Sequence, residues 1–170
     1  MLKTSALHLY ALALGSNRAL SGRRTPPRLV EEAMRQLEAL GEIRATAPIS
    51  QTPPLGPSLR LFANSAVLIA SPLAPDAMLS ALKRIERQFG RRRHRRWGAR
   101  SLDINIILWS GGRWTSRTLH IPHPAFRDRD FVLTPLRAIA PCWRDPVSGL
   151  TVRQLDARSR KALPMQRPRG

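Results

Sequence analysis

The fold turns on one stretch of sequence, Arg96-Trp-Gly-Ala-Arg-Ser-Leu-Asp-Ile-Asn-Ile-Ile-Leu-Trp109. From Leu102 the residues alternate. Leu102, Ile104, Ile106 and Leu108 are expected on one face of a strand, and Asp103, Asn105, Ile107 and Trp109 on the other. An ionised carboxylate inside an apolar strand is costly unless a cation or strong donors meet it. Asp103 and Asn105 are two apart, so both side chains leave the same face. Two oxygen ligands beside an arginine-rich loop suit Mg²⁺ bridging phosphate groups. On the residues alone a second reading stays open, in which Asp103 pairs with an arginine and Asn105 hydrogen-bonds locally.

Working outward, the spacing predicts a helix over Pro75–Phe89, with Met78, Leu82, Ile85 and Phe89 on one face and Gly90 as its stop. Phe62–Ala70 reads as a strand and Gln51–Pro57 as a proline-rich loop. Ile43, Ala45, Ala47 and Ile49 alternate as another strand. Thr25-Pro26-Pro27 opens a helix carrying Leu29, Ala33, Leu37 and Leu40, closed by Gly41. Ala6–Leu14 is an apolar first strand that empties into Gly15-Ser16-Asn17. The order β-α-β-β-α-β is the ferredoxin-like arrangement, an α+β fold with both helices on one side of an antiparallel sheet. Beyond Trp109 a C-terminal extension follows, read as a loop (His120–Arg129), a helix (Phe131–Ala140) and a tail. Residues 1–170 are expected to form one domain, with about 1–8 an extension and about 155–170 a flexible basic tail.

The chain has 170 residues, 42% hydrophobic and 24% charged, an ordinary globular composition. Its charge is not ordinary. Lys and Arg total 29 against 11 Asp and Glu, a net +18, which implies an anionic partner: nucleic acid, an acidic membrane or a phosphorylated small molecule. Lys83–Arg100 holds nine basic residues and Glu86, and Thr151–Gly170 holds six and Asp156. Cys142 is the lone cysteine, which excludes an internal disulfide and a Cys-based zinc site and agrees with a cytoplasmic location. No apolar run approaches the ~18–20 residues of a membrane span. The N-terminus is faintly like a signal peptide, but His8 and Tyr10 interrupt its apolar region, and a buried first strand is expected instead.

Three further features bear on chemistry. The loop Gly90-Arg-Arg-Arg-His-Arg-Arg96 offers guanidinium forks that bind phosphate bidentately, or is a solvated basic loop. Aromatic residues make up only 5% of the chain, and no RNA-binding signature accompanies the charge. In Ile121-Pro-His-Pro-Ala-Phe-Arg-Asp-Arg-Asp-Phe131, His123 sits between prolines in extended backbone. With Arg127 and Arg129 it is placed to meet phosphate, or it is structural. GxxxxGK[ST], GxGxxG and GxSxG motifs are absent, which disfavours the familiar nucleotide folds and serine hydrolases.

Taken together, these segments resemble the 6-hydroxymethyl-7,8-dihydropterin pyrophosphokinase family of folate biosynthesis. The resemblance runs from Ala11 to about Pro141. It rests on Ala-Leu-Gly-Ser-Asn17, Thr52-Pro-Pro-Leu-Gly56, Phe62-Ala-Asn64, Ile85-Glu86, Gly90-Arg91 with Arg93, Arg96-Trp-Gly98 with Arg100, Leu102-Asp103, and Ile121-Pro-His123 with Arg129-Asp-Phe131. It implies transfer of pyrophosphate from ATP to the pterin's hydroxymethyl oxygen, giving AMP and the pterin diphosphate, with two Mg²⁺ ions. It implies Arg91, Arg93 and Asp103 as catalytic, with Arg91 and Arg93 on a mobile loop. Glu86, Trp97, Arg100, Ile107, His123 and Arg129 would serve ATP, and Thr52, Pro53, Leu55, Asn64 and Phe131 the reduced pterin. Asp103 and Asn105 would hold metal.

The chain departs from the family pattern in its second metal ligand, where Asn105 stands in place of Asp. One negative charge is lost, so at least one Mg²⁺ is expected to bind more weakly; Asp128 and Asp130 lie nearby as possible compensation. Lys83 replaces a usual Gln, and the basic loop is a residue shorter than in some relatives. Three readings stand side by side: an active pyrophosphokinase, a binding-only paralogue impaired through Asn105, and a basic nucleic-acid-binding protein. A monomer without membrane contact is expected.

Overall fold

Strand β1 (His8–Ser16) is the centre of an antiparallel sheet because it is apolar on both faces. The computed structural model describes residues 7–52, 62–90 and 101–162. On one side β1 pairs with β4 (Phe62–Ser71), and on the other with β5 (Asp103–Trp109). The far edge of β4 takes β2 (Glu42–Thr46) and β3 (Ser50–Thr52), giving the order β2-β4-β1-β5. The strand expected over 43–49 ends at Thr46, and β3 forms beyond it, with Gln51 and Thr52 in the segment expected as loop. The register of β2 slips between Ile43 and Ala45, and Ala47 then donates to Ala66 O in the gap.

Helices α1 (Pro26–Leu37) and α2 (Pro75–Gln88) cover one face of the sheet, as predicted. Thr25 holds the N-cap position of α1, but its hydroxyl caps nothing. Pro26 and Pro27 fill the first two helical positions and carry no N–H to satisfy. The chain continues as a 3₁₀ turn, Glu38–Leu40, to Gly41. The need for glycine there comes from packing, since a Cβ would lie 2.2 Å from Ala70 O. Gly90, by contrast, ends α2 with φ of 76°. Leu29, Val30, Ala33 and Leu37 of α1 and Met78, Leu82 and Ile85 of α2 meet Tyr10, Leu12, Leu14, Ile104 and Ile106 of the sheet.

The alternation predicted for β5 breaks once. Ala11 pairs with Leu108 but Leu12 with Ile106, so Ile107 is an extra residue in a bulge. Leu108 therefore joins Ile107 on the opposite face, and Trp109 turns back toward the α1–α2 side. Beyond β5 come a two-strand hairpin, β6 (Trp114–Thr115) with β7 (His120–Ile121), a 3₁₀ turn (Phe126–Asp128), α3 (Asp130–Ile139) and α4 (Val152–Ala162). The segment 120–129, expected as loop, thus holds a short strand and a turn. The first part of the expected basic tail is helical, over Val152–Ala162, with Val152, Leu155 and Asp156 buried; its remainder, 163–170, lies outside the described residues. Helices α3 and α4 pack with Ala11, Ala13, Ala66, Ile107 and Leu108 on the second face. Among the described residues no helix is long and apolar enough to cross a membrane.

Candidate active site at the end of the sheet

Three strands set the site by register. Gly15 of β1 lies opposite Asn64 of β4 on one side and Asp103 of β5 on the other. Two residues back, Ala13 lies between Ala66 and Asn105. Period-two alternation sends Asn64, Asp103 and Asn105 to the same face, while Gly15 and Ala13 leave the middle row nearly empty. The result is a small, open depression lined by Asn64, Asp103, Asn105, Ile107, His123, Arg129 and Phe131, with Ala13, Leu14, Gly15 and Val132 completing it. Glycine at 15 keeps it open: a Cβ there would stand 3.3 Å from Asn64 Oδ1. The Ser16 hydroxyl donates to Ser101 O and ties the end of β1 to the residues leading into β5.

The polar groups are held in defined orientations. Asn105 Nδ2 donates to Asp103 Oδ2 at 2.8 Å, so the amide turns its NH₂ toward the carboxylate and leaves Oδ1 for other contacts. His123 N donates to Ile107 O at 3.0 Å, which places the imidazole beside the bulge of β5. Its Nδ1 accepts from Ala125 N–H at 3.3 Å, so the proton of the neutral ring sits on Nε2. Burial and the Arg129 charge hold the His123 pKa below its ordinary value, against the opposing pull of Asp103. Arg129 is exposed, precedes α3, and sets its guanidinium 5.8 Å from the centre of the Phe131 ring.

The structure thus gathers seven of the residues singled out in the sequence: Asn64, Asp103, Asn105, Ile107, His123, Arg129 and Phe131. Glu86 is not among them. It is fully buried on α2, where its carboxylate accepts Ile104 N–H at 2.9 Å and the Lys83 ammonium at 3.2 Å. Arg127 is also elsewhere: its guanidinium holds buried Asp145 at 2.7 and 2.8 Å. Asp130 accepts from the Ser159 hydroxyl, and Asp128 is exposed outside the depression, so neither supplements the Asp103–Asn105 pair. Thr52 ends β3 opposite Phe62. Pro53, Leu55, Arg91, Arg93, Trp97 and Arg100 lie outside the described residues. Gly15 and Val132 were not singled out as site residues. The cross-strand register that gives Gly15 its place is invisible in a linear sequence.

Comparison with known proteins fits this geometry. The family model for 7,8-dihydro-6-hydroxymethylpterin-pyrophosphokinase (HPPK) matches residues 11–141. The 2-amino-4-hydroxy-6-hydroxymethyldihydropteridine pyrophosphokinase of Pseudomonas aeruginosa is 38% identical over 138 residues, 79% of this chain and 82% of its own. The protein of that name from Methylorubrum extorquens is 38% identical over 125 residues, 72% and 78% of the two chains. The Synechocystis one is 42% identical over 100 residues, 59% of this chain and 51% of its own, so the match spans about half of that relative. Among solved structures, wild-type Plasmodium falciparum HPPK-DHPS superposes with a TM-score of 0.72 at 15% identity, over 92% of this chain and 42% of that one. At that identity the likeness speaks for the fold alone. The matched segment opens in β1 and closes just after α3, enclosing all seven gathered residues, and by that match the chain belongs to the HPPK family.

Proposed function

We propose that the depression is where this family member transfers the pyrophosphoryl group of ATP to the hydroxymethyl oxygen of 6-hydroxymethyl-7,8-dihydropterin. The oxygen attacks the β-phosphorus, the bond from that phosphorus to the oxygen bridging it to the α-phosphate breaks, and AMP leaves. The observation that carries this reading is the meeting of Asp103 and Asn105 with His123 and Arg129 on one side of Gly15 and Asn64 on the other. A phosphate-binding half and a heterocycle-binding half share one small floor.

The residues fit Mg²⁺ on limited terms. Asp103 offers a carboxylate and Asn105 an amide oxygen, and among the described residues no group of three His, Cys, Asp or Glu stands ready to hold an ion. Mg²⁺ is commonly held by one or two carboxylates together with substrate phosphates. Asp103 with Asn105 suits one such ion, whose charge would offset that of the phosphates. The remaining work falls to the protein. Arg129 supplies a fixed positive charge with two-pronged donors. Neutral His123 donates through Nε2–H without adding charge. Asn64 presents an amide to the edge of a flat heterocycle, and Phe131 an aromatic face. Catalysis of this kind is mostly positioning and charge stabilisation.

The test is AMP release by the purified chain with ATP, the pterin and millimolar Mg²⁺. Absence of AMP overturns the proposal. Asn105→Asp sharpens it: because Asn105 already offers an oxygen, turnover is expected to change by less than about tenfold. A rise from near zero by orders of magnitude would instead mark a chain that binds without turning over.

A further inference from the structure

Residues 142–162 lie beyond the segment that matches the family model, yet their side chains reach back to both sides of Arg129. Two positions before it, Arg127 forms two hydrogen bonds to Asp145, which is fully buried. Asp145 also accepts from Val147 N–H, Ser148 N–H and the Ser148 hydroxyl. Burial alone would raise its pKa; the Arg127, Ser148 and Val147 bonds outweigh that and bring it to about 2. One position after Arg129, Asp130 accepts from Ser159 of α4. Further along, buried Asp156 takes the Thr134 hydroxyl, Arg137 and Arg160. Val152 and Leu155 share an apolar cluster with Phe126, Val132 and Leu133. Arg129 itself is extended, with φ of −121° and ψ of 99°, and its carbonyl accepts from Val132 N–H and Leu133 N–H.

We propose that the 142–162 segment positions the Arg129–Phe131 wall of the depression, with Asp145 and Ser159 as positioning residues acting through Arg127 and Asp130. A short extended link between two turns of helix has little rigidity of its own. Here the chain is pinned on both sides of it, at Arg127 and at Asp130, by groups from the same C-terminal segment. One pin is a bidentate, charge-assisted pair, the stronger class of hydrogen bond. The arrangement gives Arg127 a role different from phosphate binding and gives the basic C-terminal helix a task at the site. The proposal rests on the function proposed above only for its kinetic consequence.

The experiment uses the full chain with Arg127→Gln, Arg127→Lys and Ser159→Ala. Hydrogen exchange at the Val132 and Leu133 amides, which bond to Arg129 O, reports the wall directly. Arg127→Gln is expected to speed that exchange by about tenfold, Ser159→Ala by less, while amides of β1 keep their protection. The KM for the pterin is expected to rise in the same order by about tenfold or less, with kcat within about twofold, and Arg127→Lys to recover part of both. Unchanged exchange at Val132 and Leu133 in Arg127→Gln with β1 still protected overturns the proposal. If Arg127→Gln loosens β1 as well, Ser159→Ala decides: local loosening supports the wall, and none overturns it. A wild-type chain that releases no AMP sinks the function and leaves the exchange result to judge the positioning role.

Discussion

The two faces of the one sheet are built from the same strands and do opposite work. On β1, Tyr10, Leu12 and Leu14 point toward α1 and α2, while Ala11, Ala13 and Gly15 point the other way. The first face is filled with large aliphatic side chains, each contributing on the order of 1.5–3 kcal/mol by burial. On the second face side chains shrink toward the C-terminal end of β1. α3 and α4 cover Ala11 and Ala13, but beside Gly15 the floor opens between Asn64 and Asp103. The proposed site lies where packing volume is withheld, on strands packed from behind.

The comparison breaks most sharply if the two kinds of side chain are exchanged in effect. Asp103→Ala is expected to lower pyrophosphoryl transfer by at least about 10³-fold, because the carboxylate contribution to phosphate charge stabilisation is lost. Its melting temperature should stay within a few degrees of wild type, since Asp103 is half-buried at the site rather than in the core. Leu12→Ala reverses the pattern. Leu12 is fully buried between the sheet and the helices, so its truncation should cost about 2–5 kcal/mol in denaturant unfolding. Turnover per folded molecule should hardly move. An Asp103→Ala protein that unfolds, or a folded Leu12→Ala protein without turnover, would end the division of labour between faces.

The same contrast explains what the sequence disclosed. The core face was legible because its signal is local: helical spacing in Leu29, Ala33 and Leu37, and alternation in Leu102, Ile104 and Ile106. Asp103 stood out because a carboxylate in an apolar strand needs a reason. His123 and Arg129 were read from their own loop, a histidine between prolines with arginines close by, and Phe131 came through the resemblance; none of the three came through periodicity. What stayed hidden depends on register or distance. The bulge at Ile107, which sends Leu108 to the other face, is a property of pairing with β1. Helix α4 offers few apolar positions, and its burial centres on Asp156, whose partners Arg137 and Thr134 lie on another helix. Arg127 looked like a phosphate ligand because Asp145 is eighteen residues away in sequence.

A smaller intervention probes the floor itself. Gly15→Ala would set a methyl group 3.3 Å from Asn64 Oδ1, closer than most such contacts allow, so the amide must shift by a few tenths of an ångström. Stability should change by less than about 1 kcal/mol, because the floor is open on that side. The KM for the pterin should rise about threefold to tenfold if the Asn64 amide reads its edge. Binding of an ATP analogue, measured calorimetrically, should change less. Equal effects on both ligands would merge the two halves of the floor into one.

The smallest expected effect separates the faces by titration. His123 on the open face is neutral with Nδ1 bonded to Ala125 N–H, and burial first, then Arg129, lowers its pKa. Tyr10 on the packed face is pushed up to about 12 by burial and keeps its proton throughout the physiological range. An unfolded chain takes up a proton on histidine near pH ~6.5, which the native ring resists. Stability is therefore retained above that pH and falls as pH drops below it toward the native pKa, by less than about 1.4 kcal/mol per pH unit. His123→Gln removes this one titration. Between pH 7.5 and 5.5 the wild-type melting temperature should fall more than that of the variant. Equal falls would mean that the ring protonates as readily folded as unfolded, and that the open face exerts no hold on its charge.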